Sequence, residues 1–237
     1  VKYVSQKAGI GIGAGSIRAV GSAIRSGDAT HTGVIPFYKM FQSAVKSCSQ
    51  GGVRGGAATL YYPIWHLEVE DLLVLKNNKG TEDNRVRHMD YGIQFNKAER
   101  MTSIRKKSVP AIELFSSFVT ERKDTGRIYL MNVDHANTHG AFIEDVAPIK
   151  QSNLCCEINL PTKPLNDIND PTGEISLCTL SAVNWGILKD LSEMDKICNL
   201  AVRGLDELLD YQEYPVLAAE LSTKNRRVGR SMELCFN

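Results

Sequence analysis

The segment Asn153-Leu154-Cys155-Cys156-Glu157 sets an amide, a thiol and a carboxylate at alternate positions. In an extended chain, side chains at i, i+2 and i+4 point to one face, so one strand or extended loop presents Asn153, Cys155 and Glu157 to a single small site. A neighbouring carboxylate disfavours the thiolate, which makes Cys155 a poor hydrolytic nucleophile. The same trio suits a neutral thiol that gives and takes a hydrogen atom while the carboxylate moves protons. The bland alternative is a buried Cys-Cys strand with a glutamate that happens to follow. A second thiol, Cys178, lies on another expected strand, Ile175-Ser176-Leu177-Cys178-Thr179-Leu180. If the two strands are neighbours it can serve Cys155 as a reductant; otherwise it is a small buried hydrophobe.

Other chemistry-bearing residues are sparser. His135 and His139 stand at i, i+4, but the residues between them read as loop and no carboxylate–histidine cluster has ligand spacing, so no metal site is expected. A Cys155–His135 dyad remains open as a thiol-hydrolase reading, with alkylation of Cys155 at neutral pH as its signature. The run Gly9-Ile10-Gly11-Ile12-Gly13-Ala14-Gly15 has the look of a dinucleotide fingerprint, yet no clear hydrophobic strand precedes it and no helix follows at once. Arg18 and Arg25 by themselves read as solvated surface charges.

The elements that must position these residues alternate. Residues 8–15 read as a strand running into a polar, basic loop at 16–26. Pro36 suits a helix N1 position, with Phe37, Met40, Phe41, Ala44 and Val45 as one apolar face. A glycine-rich loop at 48–56 precedes a strand at 57–65. A short helix at 68–76 and a polar loop at 77–84 lead to a strand at 91–96. Pro110 opens a helix with Ile112, Phe115 and Val119 inward. Strands follow at 128–133, 155–160 and 175–182, the last two joined by the turn chemistry of residues 167–173. A final helix from Ser192, with Asp195 in a capping-box-like pair, buries Met194, Ile197, Cys198, Ala201, Leu205 and Leu208. Residues 228–237 show no clear period and form an atypical tail. The alternation implies an α/β fold with a largely parallel sheet or barrel.

Composition narrows the function classes. The 237 residues suffice for one large domain or two small ones. A net charge of +1 supplies no global field for nucleic acid or an acidic membrane. No apolar run approaches the ~20 residues of a membrane span, and the first residues lack the regions of a signal peptide. Six cysteines without regular spacing point to a reducing compartment, the cytoplasm.

Taken together, several stretches carry a specific resemblance. Gln151-Ser152-Asn153-Leu154-Cys155-Cys156-Glu157-Ile158, followed by Leu160-Pro161-Thr162-Lys163-Pro164-Leu165, resembles the finger-loop motif of class I ribonucleotide reductase large subunits of the bacterial and phage type. Residues 174–181 are similar to the family's strand bearing one redox-active cysteine, and residues 47–56 resemble its specificity loop. Arg85-Val86-Arg87-His88-Met89-Asp90-Tyr91 and Asn132-Val133-Asp134-His135 match further family stretches. The resemblance covers residues 1–227 and implies part of a ten-stranded α/β barrel with a central finger loop.

The resemblance also implies roles. Cys155 would be the transient thiyl that abstracts the ribose 3′-hydrogen, Glu157 the base on the 3′-hydroxyl, Asn153 a holder of the substrate hydroxyls, and Cys178 one half of the reducing dithiol. Ala8, Gly9 and Leu154 would line the substrate site. Arg18 and Arg25 would bind effector phosphates, while Ser49, Gln50 and Arg54 would couple the effector base to substrate choice. The expected product is deoxyribonucleotide for DNA replication, from ribonucleoside diphosphates. No cofactor is expected on the chain itself: a metal-containing small subunit supplies the radical, deoxynucleoside triphosphates or ATP are the effectors, and thioredoxin or glutaredoxin is the reductant. A homodimer is expected, with Phe37 and Phe41 as candidates for the contact.

Departures from the family set further expectations. A helical insertion of some tens of residues is replaced by residues 97–102. The partner of Cys178, the ATP-binding regulatory domain, the phosphate-binding loop, the tyrosine pair for radical transfer and the C-terminal cysteine pair fall outside the sequence. The chain is therefore expected to be an internal piece, silent alone, with a complementary chain or a non-catalytic nucleotide-binding half of a split reductase as the second reading.

Overall fold

In the computed structural model, residues 1–50, 52–96, 111–225 and 232–236 are described. The chain divides into two units, Val1–Asn159 and Leu160–Asn237. In the first, the main sheet is built from β1 (Ile10–Gly13), β6 (Ala58–Pro63), β7 (Asp90–Phe95) and β8 (Ile128–Asn132), all parallel and in that spatial order. Two small hairpins, β2 (Ala23–Ile24) with β3 (Ala29–Thr30) and β4 (Ser49–Gln50) with β5 (Arg54–Gly55), lie in the β1–β6 connection. The helices are α1 (Lys2–Ser5), α2 (Ile35–Lys46), α3 (Val69–Leu73), α4 (Ala111–Thr125) and α5 (Val133–Thr138). Each crossover between the parallel strands carries one of the helices α2, α3 or α4. Strand order follows chain order without the reversal of a doubly wound sheet, as in part of an α/β barrel.

Every residue of β6 is buried, as expected of a parallel strand covered on both faces. One face of the sheet packs Ala58, Leu60, Tyr62, Tyr91 and Ile93 against the helices. There Tyr38 of α2 lies 6.2 Å from Tyr91, and Tyr91 lies 6.4 Å from Tyr62. The opposite face carries Tyr61 and Met131, packed with Ile149 and Cys156.

The helix faces differ from those the periodicity predicts. In α4, Leu114 and Phe118 are buried, whereas Ile112 is 83% exposed and Phe115 and Val119 are about half exposed. Apolar residues occur on most of this helix, so spacing alone does not select a stripe. Packing on the sheet does: the buried Phe118 ring lies 5.8 Å from that of Phe95, with Phe115 at 6.4 Å on its outer side; full burial of such a ring contributes about 1.5–3 kcal/mol. In α2 the buried residues are Tyr38 and Val45, with Phe41 packed alongside, and Met40 is exposed. Pro36 does sit in the first turn; Pro110 lies outside the described residues.

The second unit contains β9 (Thr179–Val183), α6 (Met194–Asp210), α7 (Leu217–Asn225) and β10 (Met232–Phe236). Its α6 buries Leu205 and Leu209, while Leu208 is exposed, so the inward stripe is 205/209 rather than 205/208. Asp190, not a Ser192–Asp195 pair, caps the preceding turn by accepting from the Ser192 N–H at 2.9 Å. A further helix, α7, follows the one expected to be last. The tail, despite its lack of period, forms β10, which pairs in parallel with β9 from Met232↔Thr179 to Phe236↔Val183. The strand expected at 175–182 begins only at Thr179. The strand expected at 155–160 is a turn followed by irregular chain, for a reason visible at the site below.

Candidate functional site

The glycines of β1 make room for the cysteine segment. A Cβ at Gly9 would stand 2.3 Å from Leu154 Cδ2, one at Gly11 1.9 Å from the Ser152 carbonyl oxygen, and one at Gly13 2.9 Å from Gln151 Oε1. Alternate residues of a strand share a face, so Gly9, Gly11 and Gly13 form a side-chain-free strip on which residues 151–154 lie. Glycine supplies this close approach at the expense of chain entropy.

Buried peptide groups need partners. Side chains supply them. Asn137 of α5 donates from Nδ2 to the Ile149 carbonyl at 3.0 Å and accepts the Ile149 N–H at Oδ1, 2.8 Å. Gln94 of β7 donates to the Lys150 carbonyl. Tyr61 donates to the Asn153 carbonyl and Thr59 to the Leu154 carbonyl, each at 2.5 Å. These partners lie 12 to 95 residues away in sequence, and neither motif nor periodicity exposes them. For Thr59 and Tyr61 the one signal is polarity at alternate positions of the strand at 57–65.

Past Leu154 the chain turns. Cys156 adopts a φ of +65°, so the extended geometry expected for residues 153–157 is replaced by a tight bend. Asn153 closes it: Oδ1 accepts the N–H of Glu157 at 3.2 Å and of Ile158 at 3.3 Å, and Nδ2 donates to Glu157 Oε1 at 2.6 Å. The amide and the carboxylate meet through the turn instead of along a strand face. Ser152 Oγ donates to the Ile158 carbonyl at 2.6 Å and secures the base.

The two adjacent cysteines face different surroundings. Cys155 is exposed and Cys156 is half buried, packed with Tyr61, Met131 and Ile149. Burial raises the Cys156 thiol pKa, with hydrogen bonding from Tyr61 and Ser152 pulling the other way. Burial likewise raises the Tyr61 phenol, and Cys156 adds to it. Tyr129 shares a sheet row with Gly13, Tyr61 and Gly92. Its phenol is raised by burial and next by Cys155. A cavity of about 370 Å³ is lined by Met131, His135, His139, Ile149, Cys156 and Asn159 among others. His135 and His139 pack edge to face at 5.6 Å. Among the described residues no group of three or more His, Cys, Asp or Glu side chains is gathered as metal ligands.

The basic loop before α2 is anchored by a buried pair that the sequence reading missed. Glu68 accepts the Val20 N–H at 3.0 Å and the Val34 N–H at 3.1 Å, clasping both ends of the loop. His66 bonds the Ile17 carbonyl through Nε2 at 2.9 Å. Between these anchors Arg18 and Arg25 are exposed. Arg18 donates to the Ala23 carbonyl at 3.1 Å, and Arg25 and Ser26 hold positive φ of 49° and 58°. Two successive non-glycine residues in that region store strain on the order of 1–3 kcal/mol each. Arg54 is exposed on β5, opposite Gln50.

The structure therefore brings Gly9, Asn153, Leu154 and Glu157 to one corner, with Ala8 next in chain and Cys155 at the tip of the turn. Arg18 and Arg25 share a separate loop. Ser49 and Gln50 are placed by the β4–β5 hairpin. Cys178, half buried just before β9, belongs to the second unit. In that unit Asp170 ties the turn at 166–172 by accepting from Thr172 Oγ1 at 2.6 Å and the Asn166 N–H at 2.9 Å. Hydrogen bonds from Thr172 and then Asn166 hold its carboxyl well below the usual range.

A parallel α/β sheet with chain-ordered strands, carrying a thiol-bearing turn on its non-helical face, has the architecture of part of an α/β barrel. The ribonucleotide reductase barrel-domain family model matches residues 1–98 and 94–230, and the chain belongs to that family. The chain is 58% identical to the ribonucleoside-diphosphate reductase subunit alpha of Haemophilus influenzae over 96% of its length and 35% of the relative's. It is 57% identical to the ribonucleoside-diphosphate reductase 1 subunit alpha of Escherichia coli over the same shares, and 50% identical to the ribonucleoside-diphosphate reductase subunit alpha of Enterobacteria phage T4 over 97% and 36%. The chain thus spans about a third of the length of these relatives. The family match breaks at residues 94–98, where the sequence analysis places the shortened insertion. No helix among the described residues is long and apolar enough to cross a membrane.

Proposed function

We propose that the chain carries the radical-bearing cysteine segment of a ribonucleoside-diphosphate reductase large subunit and acts in the reduction of ribonucleotides to deoxyribonucleotides. The observation that supports this most is the turn itself. Asn153 and Glu157 are joined at 2.6 Å in the same turn that carries the exposed Cys155, so an amide, a carboxylate and a thiol share one short turn.

In this reading Cys155, once oxidised to the thiyl, removes the ribose 3′-hydrogen. Glu157 takes the 3′-hydroxyl proton, and Asn153 orients the hydroxyls and the carboxylate together. Cys178 is one half of the dithiol that returns electrons. The chain's work is positioning and proton control around a radical supplied by a separate metal-containing small subunit. Gly9, Ala8 and Leu154 border the sugar in this reading, with Gly9 packed directly against Leu154. Arg18 and Arg25 take effector phosphates of deoxynucleoside triphosphates or ATP, and Ser49, Gln50 and Arg54 pass the effector's identity to the substrate site. Thioredoxin or glutaredoxin regenerates the dithiol. Dimerisation through α2 fits its exposed Met40, and the setting in this reading is the cytoplasm, a reducing compartment that keeps thiols reduced.

Calorimetry with a ribonucleoside diphosphate and, separately, with deoxynucleoside triphosphates tests the two binding sites; saturable binding of each is expected. In a complete reductase carrying this segment, Cys155→Ser is expected to keep substrate binding and lose all turnover with the small subunit. Turnover by the serine variant overturns the reading.

A further inference from the structure

We propose that Thr59 and Tyr61 of β6 are positioning residues for Cys155, holding it through the two peptide groups that precede it. The proposal rests on the reading of Cys155 as the reacting thiol, and its grip on the segment is tested independently of that reading.

The geometry is direct. Thr59 Oγ1 donates to the Leu154 carbonyl and Tyr61 OH to the Asn153 carbonyl, each at 2.5 Å. The Leu154 carbonyl belongs to the peptide plane that contains the Cys155 N and Cα. A planar peptide has no soft torsion of its own, so fixing that oxygen fixes where Cys155 begins. The Asn153 carbonyl belongs to the preceding plane. Together the two hydroxyls leave the approach to Cys155 little freedom beyond the φ and ψ of Leu154.

The donors stand on the stiffest part of the unit. β6 is flanked by β1 and β7 and is buried along its whole length. Thr59 and Tyr61 are two residues apart and project to the same face. The Tyr61 ring is seated over Gly92, where a Cβ would meet Cε1 at 2.2 Å, so its hydroxyl is aimed by packing. Across from them the glycine strip of β1 receives the segment. These two bonds tie residues 153–154 to a central strand of the sheet. A reacting thiol must be placed to within a fraction of an ångström for hydrogen-atom transfer, and such precision comes from a supported segment on a rigid element.

The test uses the full chain and variants that keep shape. Tyr61→Phe keeps the ring and Thr59→Val keeps the volume, and each removes one donor. Hydrogen exchange is read at the Glu157 and Ile158 amides, which are bonded to Asn153 Oδ1, and at amides of β6 and β7 as the internal reference. Each variant is expected to speed exchange at 157–158 by about two- to tenfold, to leave β6 and β7 unchanged, and to compound in the double variant. Thr59→Ser, which keeps the hydroxyl, restores the wild-type rate. Unchanged exchange at 157–158, or a rise of equal size throughout β6 and β7, overturns the proposal, as does failure of Thr59→Ser to rescue. Ribonucleoside-diphosphate calorimetry on the wild-type chain separates the two questions. Faster local exchange without any ligand binding leaves the grip standing and removes the functional reading; ligand binding with unchanged exchange does the reverse.

Discussion

Asn153 Nδ2 donates to Glu157 Oε1 at 2.6 Å while Asn153 Oδ1 receives the Glu157 N–H at 3.2 Å, so one amide side chain both shapes the turn and holds the carboxylate. Replacing Asn153 by Asp keeps the acceptor but sets a negative charge against Glu157. The turn is expected to open, because like charges at contact disfavour each other. Exchange at the Glu157 and Ile158 amides should rise, and ribonucleoside-diphosphate affinity measured by calorimetry should fall at least tenfold, about 1.4 kcal/mol. Retained affinity with retained protection would show that Asn153 is not the organiser of this corner.

The sequence made the cysteine segment visible but not its shape. Alternation of residue types over 153–157 suggests an extended strand, and only the positive φ of Cys156 converts it to a turn. The turn is closed by Asn153 and Ser152, whose side chains bond the backbone of Glu157 and Ile158, while Thr59 and Tyr61, remote in sequence, hold the two carbonyls before Cys155. The parallel sheet was readable because helix and strand periods alternate cleanly. The inward face of α4 was not, because Ile112, Leu114, Phe115, Phe118 and Val119 offer two competing stripes, of which the sheet buries Leu114 and Phe118. Glu68 escaped notice because a single glutamate in a short helix-like run is ordinary until its carboxylate is found under two backbone N–H groups.

The glycine strip gives a sharp contrast of sign. Gly11→Ala drives a methyl to within 1.9 Å of the Ser152 carbonyl oxygen, so the segment must lift from β1. A loss of about 1–3 kcal/mol in urea-unfolding stability is expected, as for overpacked cores. Gly204, within α6, has nothing within 4 Å of the corresponding position. Gly204→Ala is expected to stabilise its unit by about 0.5–1 kcal/mol, because alanine restricts the unfolded chain and favours helix. Equal effects of the two substitutions would remove the argument for close approach at β1.

Glu68 clasps the loop that carries Arg18 and Arg25. Glu68→Ala leaves the Val20 and Val34 N–H groups without their acceptor. A buried donor left unmet costs about 1–3 kcal/mol. Proteolysis of the native chain is expected to shift to residues 17–34, and deoxynucleoside triphosphate affinity should drop while ribonucleoside-diphosphate affinity is less affected. A variant that binds the triphosphate normally would separate the clasp from effector recognition.

Tyr38 of α2 and the strand tyrosines it packs on, Tyr62 and Tyr91, are expected to make stability fall at alkaline pH. Burial raises the phenols of Tyr38, Tyr62 and Tyr91 above their ordinary value, with Glu68 adding to Tyr38, Tyr38 to Tyr62, and Tyr62 to Tyr91. Below the unfolded pKa of about 10 the phenols are neutral in both states and their contribution to stability is complete. Above it the unfolded chain releases protons that the fold retains, so stability falls as pH rises toward the higher folded values, by up to about 1.4 kcal/mol per pH unit for each phenol. Urea midpoints should be insensitive to tyrosine between pH 7 and about 9 and then fall steeply past about 10. The hydroxyls of Tyr38 and Tyr62 have no hydrogen-bond partner among the described residues. Tyr62→Phe removes a buried unmet donor and should be neutral or stabilising at pH 7, and it should flatten the alkaline slope by one proton's worth. An unchanged slope in that variant would show that Tyr62 does not hold its proton through burial.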